Sequence, residues 1–234
     1  MDPTLTFTSP PSRCEFLPDR VQQLRYEVAP EIRPAVYMDR LREGWRRFGY
    51  VIFRPDCASC RMCQSLRVPV STFHRSGSQR RVWRKNQASI TLRIHNHPSS
   101  SAEKLDLLAR FQQYGHEAKG WPAEGGDDLG LLLANPFPTE EWCYYLGHRL
   151  VGVGYVDALR EELSAIYFYH DPLERHRSLG TYNVLSILAS ACERGLRHVY
   201  LGYYVEGCRS LDYKARFRPN EVLRTRENWE PFVG

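Results

Sequence analysis

Between residues 142 and 201 the apolar residues change period, and that change limits the possible folds more than any other feature of the chain. Apolar runs at 142–146, 150–156 and 163–169 are short and divided by turn signals, the first of them Gly147-His148. Runs of this kind read as strands, here a hairpin followed by a third strand in series. From 178 to 193 the spacing becomes helical, with Leu185, Leu188 and Ala189 on the apolar side. Gly195 stands where such a helix ends, and 198–201 reads as one more buried strand. The order predicts an α+β protein with a mixed, mainly antiparallel sheet.

The first half is less regular. Leu24, Tyr26 and Val28 alternate as in a strand, and Pro30 and Pro34 break the run. Val36, Met38, Leu41 and Trp45 suggest a helix over 35–47, ended by Gly49, and 50–53 reads as a buried strand. Residues 66–70 form another strand candidate, whose Pro69 predicts an edge or an end. A helix is expected at 78–86 with Ser78 as its cap, then a strand at 90–94. The polar run 95–101 reads as a linker, which divides the chain into residues 1–98 and 99–234. Beyond it lie a helix over 102–114, with Leu105, Leu108 and Phe111 inward, and a glycine-rich acidic loop over 115–130.

A hydrophobic fraction of 42% in 234 residues supports a real core and argues against disorder. No run of about 18 apolar residues is present, so no membrane-spanning helix is expected. The start lacks the apolar core of a secretory signal. Seven cysteines, three of them between Cys57 and Cys63, do not make a disulfide framework; they fit reduced thiols in a cytoplasm. Net charge is +5 and almost all the positive charge is arginine, a residue suited to phosphate and carboxylate.

Four stretches carry chemistry. Cys57, Cys60 and Cys63 are spaced C-x2-C-x2-C, and Cys14 is the natural fourth thiol. Four thiolates hold zinc or an iron–sulfur cluster, and plain buried thiols are the other reading. Next comes R-S-G-S-Q-R-R-V-W-R-K-N at 75–86, in which Trp83 lies among Arg80, Arg81, Arg84 and Lys85. A helix start with arginines around it suits anions, while a solvated basic face is the ordinary alternative. The third stretch, R-H-R-S-L-G-T-Y-N at 175–183, opens the long helix with Arg177 and Gly180. The fourth, at 200–219, interleaves Tyr203, Tyr204 and Tyr213 with Arg209, Lys214, Arg216 and Arg218. Tyrosines stack on bases and arginines meet phosphates; a structural aromatic cluster is the rival reading.

The strand and helix order resembles the GNAT acyltransferase fold. Arg177-x-x-Gly180 is half of that superfamily's coenzyme A loop, but Tyr182 takes the place of its last glycine. The motifs C-E-F-L-P-D-R, R-P-D-C-A-S-C-R-M-C, S-G-S-Q-R-R-V-W-R-K-N, Y-F-Y-H-D-P, S-L-G-T-Y and L-G-Y-Y-V-E-G-C-R-S-L-D-Y-K-A-R-F-R-P resemble the arginyl-tRNA–protein transferase family. They are closest to its bacterial branch, the aspartate/glutamate leucyltransferases, over about Cys14 to Trp229. The resemblance implies a cysteine-bearing N-terminal domain and a GNAT-like C-terminal domain. It implies transfer of leucine from leucyl-tRNA to proteins that begin with Asp or Glu, giving a destabilising N-terminus. Arginyl transfer and coenzyme A-dependent N-acetylation are the alternatives.

The ester of an aminoacyl-tRNA is already activated, so transfer requires no cofactor; zinc or an iron–sulfur cluster remains an option at the cysteines. An α-amine titrates at about 8 and requires only a modest base. Asp171 is the first candidate for that base and Glu206 the second. Arg80, Arg81 and Lys214 are candidates for the acceptor's acidic side chain. The tRNA 3′ end is expected along Arg177, Gly180, Tyr204, Arg209 and Arg216.

Overall fold

In a computed structural model, residues 5–119, 130, 133, 136–225 and 228–232 are described. The strands are β1 (Leu5–Thr8), β2 (Ser12–Arg13), β3 (Val21–Gln22), β4 (Leu24–Val28), β5 (Arg46–Phe48), β6 (Val51–Pro55) and β7 (Gln64–Pro69). They continue with β8 (Ile90–His95), β9 (Thr139–Leu146), β10 (Arg149–Ala158), β11 (Glu162–His170), β12 (His198–Tyr204), β13 (Glu221–Thr225) and β14 (Asn228–Pro231). The helices used below are α1 (Pro34–Arg42), α2 (Gly77–Gln87), α3 (Ala102–Lys119) and α4 (Leu179–Glu193).

An eight-stranded sheet in the order β14-β13-β7-β12-β11-β10-β9-β8 organises the molecule. Its pairings are antiparallel except β11 with β12, which the α4 crossover makes parallel. The α+β expectation holds, as do the meander, the long helix and the returning strand. The sheet passes across residue 98: β7 and β8 precede it, yet β7 pairs with β12 and β8 with β9. Pro69 ends β7, as expected, but that strand is interior, held between β12 and β13.

One face of the sheet packs on α4 through Leu179, Leu185, Ile187, Leu188 and Ala191. The other face receives α3 through Leu107, Leu108 and Phe111. Leu105, expected inward, is exposed, because α3 turns Leu107 to the sheet instead. A smaller sheet, β1-β4-β6-β5, joins the large one where Tyr37, Leu41, Trp45 and Ile52 meet Tyr200 and Phe137.

The helix expected over 35–47 stops at Arg42. Gly44 adopts φ +85, its N–H donates to the Leu41 carbonyl, and the Trp45 N–H donates to Arg40 at 2.9 Å. This six-to-one closure is a Schellman end, and only glycine takes that backbone at little cost. Arg46 and Arg47 are therefore strand residues. Ser76, rather than Ser78, caps α2: its hydroxyl accepts from the Gln79 N–H, and the Gln79 side chain accepts from the Ser76 N–H. The acidic loop expected over 115–130 begins as the last turn of α3, and 120–129 lie outside the described residues. Among the described residues no helix is long and apolar enough to cross a membrane.

Candidate functional site

Strands β11 and β12 run side by side only for a short distance. Their pairing covers Glu162 with His198, Leu163 with Val199 and Ser164 with Tyr200. Beyond Ser164 they part. A cavity of about 180 Å³ lies between their far halves, walled by Ala165 and Ile166 on one side and Leu201, Gly202 and Tyr203 on the other. Strand β5 closes it with Arg46, Arg47 and Phe48, and Lys214 and Leu211 complete the wall.

The two neighbouring arginines of β5 have different lives. Arg47 is fully buried and fully used: its Nε donates to Asp157 at 2.7 Å, Nη1 to the Gly49 carbonyl at 3.1 Å and Nη2 to Thr139 at 2.6 Å. Arg46 is 5% exposed and, among the described residues, is paired with no carboxylate. Its Nη2 donates to Ser65 at 2.6 Å and to the Gly202 carbonyl at 3.5 Å, while Nε and Nη1 have no partner. The rings of Tyr200 and Tyr203 stand 5.3 and 6.0 Å from its guanidinium carbon. Burial pushes this guanidinium down from its usual pKa.

Lys214 shares the wall. Its amine donates to the Tyr203 carbonyl at 3.0 Å. Burial, helped by the charge of Arg46, pushes it down to about 7. Register slips between Tyr200 and Gly202 where β12 meets β7, and Gly202 takes φ +88. A Cβ at Gly202 would lie 3.2 Å from the Lys214 amine, so the bulge keeps that approach open.

Phe16, Phe48, Phe53 and Tyr203 form a wall common to this cavity and a larger chamber of about 410 Å³. The chamber is mainly apolar, with Leu17, Val21, Leu24 and Val51 also lining it. Cys14, Cys57, Cys60 and Cys63 all reach it, so the chain does bring the four thiols to one place. Among the described residues no group of three or more His, Cys, Asp or Glu side chains is placed to hold a metal ion. The Cys63 thiol is pushed up to about 12, by burial and then by Cys14, Cys57 and Cys60 beside it. Among the described residues every cysteine is unbridged.

The other expected site residues scatter. Asp171 is 1% exposed and caps the 3-10 turn Pro172–Arg177 through the Leu173 N–H at 3.0 Å. Arg149 and Arg110 both pair with it. Burial alone would raise its carboxyl; Leu173, Arg110 and Arg149 outweigh that and hold it below the usual value. Such a carboxylate is a poor proton acceptor. Glu206 is exposed in the turn after β12 and makes no ion pair among the described residues.

Arg80 and Arg81 lie on the exposed face of α2, away from the cavity wall; Arg80 bonds the Arg75 carbonyl at 2.9 Å. Trp83 is clamped, with Arg75 stacked 3.8 Å from its ring centre and Tyr182 at 5.5 Å. Arg177 donates to Glu174 at 2.8 Å and Ser89 at 3.0 Å, tying the turn before α4 to the end of α2. Gly180, in the first turn of α4, has open space at its Cβ position. Arg209 and Arg216 are exposed, and Tyr204 rests on Phe232 at 4.9 Å. Tyr203 is buried in the cavity wall, its hydroxyl donating to Gly44 at 3.0 Å, so it offers no face to a base.

Sequence reasoning missed Arg46. Read as the tail of a helix, it had no reason to meet Lys214. The signal was the Glu43-Gly44 pair, where a helix end was legible.

Two family models match the chain: the N terminus of arginine-tRNA-protein transferase over residues 12–81 and its C terminus over 103–224. An aspartate/glutamate leucyltransferase of Campylobacter jejuni is 34% identical, covering 93% of this chain and 92% of its own. The enzymes of that name from Helicobacter hepaticus and Pseudomonas aeruginosa are 32% and 31% identical over the same 93% of this chain, and over 91% and 92% of theirs. Among solved structures, the C-terminal DUF2156 domain of an Agrobacterium fabrum protein named for lysylphosphatidylglycerol synthesis matches with a TM-score of 0.50. It is 13% identical and covers 74% of this chain and 59% of its own, a likeness of fold. A GCN5-related glucosamine N-acetyltransferase region of a fungal enzyme matches with a TM-score of 0.41 and 13% identity, over 81% of this chain and 21% of its own.

Proposed function

Because the chain belongs to the arginine-tRNA-protein transferase family, we propose that it moves leucine from leucyl-tRNA to the α-amine of proteins that begin with Asp or Glu. The chain is an aminoacyltransferase. The observation that carries the finer reading is the shared wall of Phe16, Phe48, Phe53 and Tyr203. On one side is an apolar chamber with room for a leucyl side chain; on the other is a cavity whose charged groups are cations. A leucyl ester and an acidic N-terminus would meet across that wall.

The reaction joins the acceptor nitrogen to the ester carbonyl carbon and breaks that carbon's bond to the ribose oxygen. The amine loses a proton and the ribose oxygen gains one. Glu206, free of ion pairs among the described residues, is the proton acceptor in this reading. Asp171 has a positioning role: it fixes the turn between β11 and α4. Lys214 faces the acceptor's carboxylate, because it lies in the cavity wall and Arg80 and Arg81 do not. Those two arginines, with Arg177, Gly180, Tyr204, Arg209 and Arg216, are the residues this reading offers to the tRNA end. No cofactor enters the transfer. The product begins with leucine, a destabilising terminus, and the reduced thiols fit a cytoplasmic setting.

Arginine as donor is the second reading. Glu15 is the carboxylate among the chamber's described lining residues, and an arginyl side chain would have to reach it. The deciding experiment incubates the purified protein with leucyl- or arginyl-tRNA and peptides beginning with Asp, Glu or Ala, then weighs the products. Leucine added to Asp and Glu peptides alone is the expected result. Arginine added in its place would replace the donor assignment.

A further inference from the structure

We propose that Arg46 is the residue that reads the acidic side chain of the acceptor, taking its carboxylate between the guanidinium and the Lys214 amine. The inference rests on the acceptor reading above and assigns its specificity to a residue that no motif singled out.

A buried guanidinium is normally held by a carboxylate, because an unpaired buried charge is expensive. Arg47, one residue along the same strand, obeys that rule with Asp157. Arg46 breaks it. It is 5% exposed, its two bonded acceptors are a serine hydroxyl and a peptide carbonyl, and two of its nitrogens have none. Nor does Lys214 compensate, since it adds a second cation to the same wall. Two cations with no counter-ion among the described residues, around a cavity of about 180 Å³, make a site for one small anion. The cavity opens where β11 and β12 part and shares its wall with the apolar chamber, so a carboxylate held there leaves its peptide's amine next to the donor side.

Tyr200 and Tyr203 give the site its selectivity. Their rings flank the guanidinium without offering it a negative charge, so a neutral side chain in the cavity leaves Arg46 and Lys214 without a counter-charge and two Arg46 nitrogens unbonded. A site with buried groups left unpaired rejects the analogue that lacks the pairing atoms, by more than a pocket of matched shape can.

The test is Arg46→Met beside Arg46→Lys, assayed with leucyl-tRNA and peptides beginning with Asp, Glu or Ala. Arg46→Met should lower kcat/KM for Asp and Glu peptides about tenfold to a hundredfold, mainly through KM, with the Ala peptide at background for both proteins. Its melting temperature should be unchanged or higher, because an uncompensated buried charge has been removed. A purely architectural arginine would show the reverse, a lower melting temperature with kcat/KM for the Asp peptide retained in the folded protein, and that result overturns the assignment. Should Arg46→Met not fold, Arg46→Lys decides: a lowered kcat/KM for the Asp peptide in the folded variant supports the assignment, and a wild-type value overturns it. Calorimetric binding of an Asp peptide requires no tRNA. If the wild-type protein transfers nothing, the leucyl-transfer reading fails by itself, and equal binding by wild type and Arg46→Met separately removes the role of Arg46.

Discussion

Lys214 is a lysine whose proton is weakly held under ordinary conditions, and its pH behaviour is open to measurement. The groups facing it are Arg46 from β5, Tyr203 from β12 and Cys208 from the turn that follows. Folded, it titrates at about 7 against an ordinary 10.5. Between those values the unfolded chain holds a proton that the folded chain lacks, so stability rises as pH climbs through that window. Urea unfolding across pH 6 to 10 should show this rise, and Lys214→Met should flatten it. Activity runs the other way on its alkaline side. The amine of the acceptor must be neutral, with a pKa of about 8, while Lys214 must be charged to hold the carboxylate. We expect kcat/KM for Asp peptides to peak between about pH 7 and 8 and Lys214→Arg to lose the alkaline fall. The two carboxylates separate as cleanly. Glu206→Gln should cut kcat by about a hundredfold or more with KM unchanged, the ordinary loss of a general base. Asp171→Asn should instead cost about 1.5–3 kcal/mol of stability in urea unfolding, since it loses charge-assisted bonds, while the folded fraction keeps its turnover.

At the scale of elements, glycine placement decides which side chains reach the cavity. Gly44 ends α1 so that β5 can begin two residues later and carry Arg46 and Arg47 inward. A Cβ at Gly44 would come within 2.6 Å of Leu223 Cδ2, besides straining a backbone at φ +85. Gly44→Ala should therefore cost more than about 1 kcal/mol, read as a lower urea midpoint, and should weaken the preference for acidic peptides as β5 shifts. Sequence reading placed most elements well because short apolar runs are cut by turn signals. β10 is buried at every position from Leu150 to Asp157 and α4 from Tyr182 to Leu188, so run length and flanking glycines marked them rather than alternation. It erred where the signal belonged to two elements at once. Trp45 fits the helical spacing of α1, yet it is buried three residues past the end of that helix, stacked on by Arg54 at 4.7 Å.

For the whole molecule, the joint between the two sheets is polar at its centre. Arg47 of the small sheet bonds Asp157 and Thr139 of the large one, and Tyr37 of α1 donates to the same Asp157 at 2.7 Å. Removing one partner leaves a buried charge unpaired. Arg47→Met should cost about 3–5 kcal/mol, whereas Arg47→Met with Asp157→Leu should recover much of the loss, as a double-mutant cycle in urea would show.

The amino-acid order was enough to establish the fold class, the meander and crossover of the second half, the family, and the thiols and basic segments from which a site is made. Those follow from local period, turn chemistry and motif spacing, all properties of neighbours along the chain. Which cation faces the cavity was settled only in three dimensions. Arg46 and Lys214 are distant in sequence, and Arg46 differs from Arg47 in what the folded chain sets opposite each: Asp157 opposite Arg47 and, among the described residues, no carboxylate opposite Arg46. Pairing of buried charge is a contact between remote segments, so no local pattern encodes it.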